Sequence, residues 1–324
     1  MALVALGGAT YEIIARAHAA KDFPAPGRLV DIGGGRHIQL DCRGAGTPVV
    51  VFESGLDFLG SLSWAAVHDA IAQTTRACAY SRAGIMWSDP SDRGFSGANV
   101  AEDLHRALAA AGERAPYIMV GHSLGGPYLL TYTGLYGGEV AGVVFIDASH
   151  PDQIARMRAA VGKDIAQSTL MARVAASVAW TGLVRAVLRS EPSAPLNAPE
   201  TINGPSAAWR PTSLRAVARE MEGLNATLSS AAATRQLGDR PLVVLTRGEM
   251  TPPQALKQME LTTEQGGRLD VVWGALQDDE ATWSTRSRHE TVPHASHYIQ
   301  FDQPQAVIAA VHAVIDQVRE AARH

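Results

Sequence analysis

Three observations place this sequence in the α/β class, with a mostly parallel central sheet covered by helices on both faces. Short apolar runs alternate with helical stretches from Arg28 to Ile146, the pattern that crossover connections between parallel strands produce. Val49, Val50, Val51 and Phe52 are continuously apolar, as expected of a strand buried on both faces. Pro116–Gly126 reads strand, glycine-flanked turn, helix start. From about Pro151 to Gly238 strand signals vanish and Ala, Leu, Met and Trp dominate. That stretch predicts a helical cap inserted after the sixth strand, over the carboxyl edge of the sheet where such folds bind ligands.

The bulk numbers fit this class. The chain has 324 residues, 46% hydrophobic and 19% charged, enough for one large α/β core with an insertion. A net charge of -4 gives no reason to expect a nucleic-acid partner. Two cysteines, Cys42 and Cys78, are too few for a disulfide scaffold or a zinc cluster.

Taken in order, the apolar positions of residues 1–20 predict an amphipathic helix, interrupted by Glu12 and Arg16. It is too short to span a bilayer and lacks the basic start of a signal peptide. It is expected to lie on the domain or, weakly, on a membrane surface. A cytoplasmic and an exported or membrane-associated location both stay open, and the sequence is silent on oligomeric state. Arg28–Ile32 and His37–Cys42 read as strands joined by Gly33-Gly34-Gly35. No lysine or helix follows those glycines, so they predict a hairpin turn rather than a phosphate loop. Strands follow at Thr47–Glu53, Thr75–Tyr80, Tyr117–Val120 and Val140–Ile146, with helices at Trp64–Ala72 and Val100–Ala111 between them. Pro and Asn at Glu191–Pro205 predict a loop between two helical groups. Pro241–Thr246 and Arg268–Trp273 are expected strands, and Gln303–Ala321 a closing amphipathic helix. The expected organisation is a leader over 1–27, a core over 28–150 and 239–324, and a cap over 151–238.

Gly121-His122-Ser123-Leu124-Gly125 is a G-x-S-x-G signature in the strand–turn–helix context it needs. Such a turn strains the backbone at Ser123, lifts its hydroxyl above the sheet and aims the following helix N-terminus at it. Side chains at 121 or 125 would collide with their neighbours, hence the glycines. A nucleophilic serine also needs an oxyanion hole. Its N–H groups are expected from Leu124 and from Leu56, in the loop after the third strand.

The chain resembles the α/β-hydrolase fold, bacterial esterase/lipase type, from about Arg28 onward. The matching pieces, in order, are Glu53-Ser54-Gly55-Leu56, Tyr80-Ser81-Arg82-Ala83-Gly84, Gly121–Gly126, Val143–Asp147 and His297. The resemblance implies about eight strands with the second antiparallel to the rest. Ser81 departs from the aspartate usual at its position, and Met86 from a small residue; both bear on the pocket mouth.

The resemblance also orders the site as serine, acid, histidine. His297, shortly before the last helix, sits where the base falls; His294 and His289 are the alternatives. His18, His68, His105, His312 and His324 read as surface or core residues. The acid is preferred at Asp147, after the sixth strand. The usual loop after the seventh strand has Thr251 where relatives carry aspartate and offers Glu249 as the alternative, with Asp278 or Asp279 behind it. His289, His294 and His297 lack a recognised metal-ligand spacing, so no metal and no cofactor is expected. Met157, Met171, Trp180, Leu183, Trp209 and Met221 are apolar cap residues. Most should hold cap helices together, and two or three should line an acyl pocket.

Together these readings imply a serine hydrolase acting on carboxylic esters with a sizeable apolar acyl or alcohol part. Amide, lactone or carbon–carbon bond hydrolysis, or ligand binding without turnover, are the rivals. Epoxide hydrolases and haloalkane dehalogenases of this fold use an aspartate nucleophile, and Ser123 argues against both. In the family's strand order, Cys42 and Cys78 can face each other across one strand pair. Opposed β-carbons there lie about 4.5–5.5 Å apart, while a disulfide wants about 3.5–4.5 Å. Two free buried thiols are the preferred expectation.

Overall fold

The computed structural model describes residues 2–164, 169–188, 191 and 194–323. Its strands are β1 (Arg28–Asp31), β2 (His37–Arg43), β3 (Val49–Glu53), β4 (Ala77–Tyr80), β5 (Tyr117–His122), β6 (Val140–Ile146), β7 (Leu242–Arg247) and β8 (Ser287–Val292). They form one eight-stranded sheet in the order β1-β2-β4-β3-β5-β6-β7-β8. β2 runs antiparallel to both its neighbours, and every pairing from β4 to β8 is parallel. The helices before the sixth strand are α1 (Ala2–Asp22), α2 (His68–Ala72), α3 (Gly97–Ala111) and α4 (Gly125–Tyr136). Between β6 and β7 come α5 (Gln153–Val161), α6 (Leu170–Val178), α7 (Leu183–Val187), α8 (Asn203–Glu222) and α9 (Leu224–Ala231). The rest are α10 (Pro253–Gln258), α11 (Thr263–Ala281), α12 (Ile299–Asp302) and α13 (Pro304–Ala321).

The apolar strands serve two cores at once. In β3, Val49 and Val51 join one buried cluster, while Val50 and Phe52 join the other. β5 splits the same way, with Tyr117 and Met119 on one side and Ile118 and Val120 on the other. Leu104, Ala107 and Leu108 of α3 and Leu129 and Tyr132 of α4 fill the first core; Val307, Val311, Val314 and Ile315 of α13 fill the second. The strand order reverses between β3 and β5, which opens a crevice at their carboxyl ends.

Four expectations need correction. Arg268–Trp273 is not a strand but lies inside α11, where Leu269, Trp273, Leu276, Gln277 and Glu280 are buried at helical spacing behind a Thr262–Gln265 capping box. The eighth strand is Ser287–Val292 instead. It is an edge strand, half of it exposed and most of it polar, so it lacks an apolar run. The segment around Asn203–Pro205 already belongs to α8, whose first turn tolerates Pro205. Cys42 and Cys78 are partners in the β2–β4 register and are joined by a disulfide rather than free.

α1 lies on the helices between β6 and β7. Its buried Glu12 accepts both Nε and Nη2 of Arg185 at 2.8 Å, and a Cβ on Gly8 would fall 2.1 Å from the Thr181 carbonyl oxygen. Among the described residues no helix is long and apolar enough to cross a membrane.

Candidate active site

Ser123 follows β5 directly and has φ 51°, the left-handed region that costs energy for any side chain. The turn is held by its own backbone: Ser123 N–H donates to the Ile146 carbonyl, and its carbonyl accepts from Gly126 and Ser149. The helix start can pass β3 only without side chains. A Cβ on Gly125 would lie 2.4 Å from the Glu53 carbonyl oxygen, and one on Gly121 2.8 Å from Leu129 Cδ1. Ser123 is left half-buried, above the sheet and open to a reactant.

Asp147 caps β6 with φ 43° and is fully buried. His297 Nδ1 lies 2.6 Å from its Oδ2. Trp273 Nε1 donates to Oδ1 at 2.7 Å, the Arg247 amide donates to Oδ1 at 3.1 Å, and Arg247 Nη1 donates to Oδ2 at 2.9 Å. Burial pushes this carboxyl upward, but the His297 hydrogen bond, the Arg247 charge and the Trp273 donor outweigh it. They hold Asp147 below the ordinary carboxylate range, so it is ionised. With Nδ1 turned to Asp147, the free nitrogen of His297 is Nε2.

The alternatives lie elsewhere. Glu249 is exposed in the loop after β7, where Thr251 Oγ1 and its N–H donate to Asp270. Asp279 pairs with His150, and Asp278 with His289, which also meets Thr246. His294 is exposed. Among the described residues, His289, His294 and His297 do not converge as ligands. His150, Asp152 and Asp279 do come together, but Asp152 is held by both Nη atoms of Arg235.

His122 stands beside the pair. Its ring lies 4.7 Å from that of His297, and its Nε2 donates to the His297 carbonyl at 2.8 Å. Burial, then the nearby His297, push its pKa down to about 3, so it is neutral. It holds the His297 loop without competing for the proton.

The loop after β3 approaches the same point: a Cβ on Gly55 would fall 3.0 Å from Ser123 Cβ. Among the described residues no backbone carbonyl accepts from the Leu56 or Leu124 N–H. The loop is fixed from below by Arg82. Its Nη1 donates to Glu53 Oε1, the Ser54 carbonyl and Ser54 Oγ at 2.7, 2.7 and 3.0 Å. Nη2 donates to the Gly55 carbonyl at 2.7 Å. Nε and Nη2 reach the two oxygens of Glu220, on α8, at 2.9 and 2.8 Å. Tyr80 donates to Glu53, and Ser81 Oγ to Gln39 Oε1 at 2.7 Å, which occupies the hydroxyl at the departure noted above. Burial raises both carboxyls, Glu53 to about 7. No local sequence signal announces Trp273, Arg247, Gln39 or Glu220 in these roles, since each arrives from a distant element.

The apolar surroundings differ from the expectation. Leu56 and Leu124 touch a cluster with Phe95, Ile154, Leu224 and Leu228, and Leu56 also packs with Met221 and Trp209 around Met86 and Val217. Met157 instead packs with Val161, Leu256 and Leu261. Met171 is 74% exposed and Trp180 58% exposed on the outer surface, so neither is drawn to Leu56.

Residues 18–310 match the model of the alpha/beta hydrolase family. Among curated sequences, the chain is 36% identical over 128 residues to a protein named probable transporter efuK of Hormonema carpetanum, covering 37% of this chain and 18% of that one. It is 35% identical over 103 residues to a protein named carbamate hydrolase RutD of Cronobacter turicensis, covering 32% and 38%. The matched segments thus span well under half of those relatives. Among solved structures, a thermophilic esterase from Thermogutta terrifontis superposes over 90% of this chain and 97% of its own, with TM-score 0.55 and 17% identity. A haloalkane dehalogenase ancestor gives TM-score 0.64 at 17% identity, over 90% and 99%. At such identities these likenesses speak for the fold. With the family model covering most of its length, this chain belongs to the alpha/beta hydrolase family.

Proposed function

We propose that the protein is a serine hydrolase that cleaves carboxylic esters with an apolar part through an acyl-enzyme. The observation that carries this is the 2.6 Å contact between His297 and the ionised Asp147, beside a serine on a strained, half-buried turn. In this reading Ser123 Oγ attacks the ester carbonyl while His297 Nε2 takes its proton. Asp147 fixes the tautomer and stabilises the imidazolium. The carbonyl oxygen, now an alkoxide, is met by the N–H groups of Leu56 and Leu124. His297 returns the proton to the leaving alcohol, and water, activated by the same imidazole, releases the acid. No step needs a cofactor.

The apolar cluster of Phe95, Ile154, Leu224 and Leu228 around Leu124 supports an apolar acyl or alcohol group. A chain-length series of chromogenic esters tests this. Each buried methylene is worth about 0.8 kcal/mol, about fourfold in kcat/KM. The activity should rise over the first several carbons and vanish in Ser123→Ala. A series flat or falling from acetate onward refutes the apolar pocket. The likeness to a protein named a carbamate hydrolase supports a second reading, cleavage of a carbamate or amide by the same groups. Matched ester and carbamate substrates decide between them.

A further inference from the structure

Ten of the fifteen large apolar side chains that stand exposed among the described residues lie on α1, α6, the Ala179–Thr181 turn and α7. These elements pack side by side: α1 lies on the turn, and Tyr11 touches Gly182. Glu12 and Ala19 of α1 face inward, while Leu6 (64% exposed), Ile13 (69%) and Ile14 face out; Trp180 on the turn that α1 lies against, and Leu183 and Val187 on α7, are exposed too. A water-facing helix presents the reverse pattern, and apolar exposure this concentrated marks an interaction surface.

The same surface carries two unpaired arginines, Arg16 and Arg215, which also line a neighbouring cavity with Asp89 and Asp92. Trp180 shares a cavity of about 590 Å³ with Arg16, Arg173 and Arg215. The two carboxylates on that cavity are already taken, Glu12 by Arg185 and Glu222 by Arg173 at 3.3 Å. Among the described residues, Arg16 and Arg215 have no hydrogen-bond or ion-pair partner, and both are exposed. A second copy of the chain meeting this face across a two-fold axis would bring the same cations toward themselves. An anionic bilayer supplies both complements: phosphate groups for the arginines, and the hydrocarbon boundary for Leu6, Ile13 and the Trp180 ring.

We propose that α1 and the α6–α7 surface form one docking face for an anionic lipid bilayer, with α1 lying in the plane of the interface and Arg16 and Arg215 binding headgroup phosphates. This holds whether or not Ser123 cleaves esters.

Flotation of the full chain with phosphatidylcholine vesicles, with and without phosphatidylglycerol, tests it. Two arginines at about 1 kcal/mol each predict about thirtyfold tighter binding to the anionic vesicles. The advantage should disappear in high salt and in the Arg16→Gln, Arg215→Gln double variant. Leu6→Ser with Ile13→Ser should weaken binding to both vesicle types. The salt dependence of the wild-type chain reads the charge component without any variant. No flotation, or equal flotation with both vesicle types, overturns the proposal. So does a dimer, seen by sedimentation, that the Leu6→Ser, Ile13→Ser variant dissolves.

Discussion

Glu220→Gln is the perturbation that probes how the helical insertion controls the site. Glu220 receives two Arg82 donors, at 2.9 and 2.8 Å, in a pair that is almost wholly buried. Glutamine offers one acceptor and one donor, so one Arg82 N–H is left facing another N–H. Breaking a buried pair costs about 3–5 kcal/mol; Arg82 keeps Glu53, so the lower end, about 3 kcal/mol, is expected. Urea unfolding of the variant measures it. The second effect is kinetic. Arg82 also holds the Ser54 and Gly55 carbonyls, immediately before the Leu56 N–H. Losing one oxyanion donor costs 10²–10³ in kcat, and loosening one should cost about tenfold, with KM changed less.

The third effect is on pH. Burial, and repulsion by Glu220, raise Glu53 from 4.5 to about 7. Its folded pKa exceeds its unfolded one, so its contribution to stability is complete below 4.5 and is lost as pH rises through about 7. Neutralising Glu220 lowers the Glu53 pKa and shrinks that decline. A stability loss under about 1 kcal/mol, with kcat and pH profile unchanged, would show that the Arg82 network does not couple α8 to the site.

Further predictions concern the surroundings of the same groups. Trp273→Phe removes the Nε1–H from Asp147; a hydrogen bond to a charged group is worth about 1.5–3 kcal/mol, and kcat should fall about tenfold with KM unchanged. His122→Gln keeps a donor for the His297 carbonyl and removes a titrating ring. The folded pKa of His122 is depressed to about 3, so its neutral form contributes stability above 6.5 that is lost as pH falls toward 3. Unfolding curves from pH 7 to 4 should therefore slope less in the variant, and an unchanged slope would refute the assignment. The Cys42–Cys78 bridge closes a loop of 36 residues, worth about 4 kcal/mol by chain entropy. Denatured protein should take no thiol label until reductant is added, and labelling without reductant would contradict the bridge.

The centre of the sheet, β3 to β7, is legible in the sequence because those strands are buried on both faces and are largely apolar. β8 is hidden for the converse reason: at the edge, Ser287–Thr291 carry no such run. α11 is misread because Leu269, Val271 and Trp273 alternate like a strand, while the burial that shapes the helix repeats every three or four residues. Ser123 is visible from its glycines, since close backbone approach leaves a mark on the sequence. Asp147 and His297 are visible as chain-order candidates only, and their contact is tertiary. The pocket is misassigned at Met171 and Trp180, because composition reveals that a helix is apolar but not which way it faces.

The central claim is that Ser123 is activated by His297 and Asp147. The most direct test is the rate at which a fluorophosphonate labels the protein, with the adduct mapped by mass spectrometry. The expected result is one adduct, on Ser123. Its rate should fall by several orders of magnitude, about 10⁴-fold, in Asp147→Asn, and stay near the wild-type value in Glu249→Gln. An unlabelled Ser123, or a larger loss in Glu249→Gln than in Asp147→Asn, would contradict it.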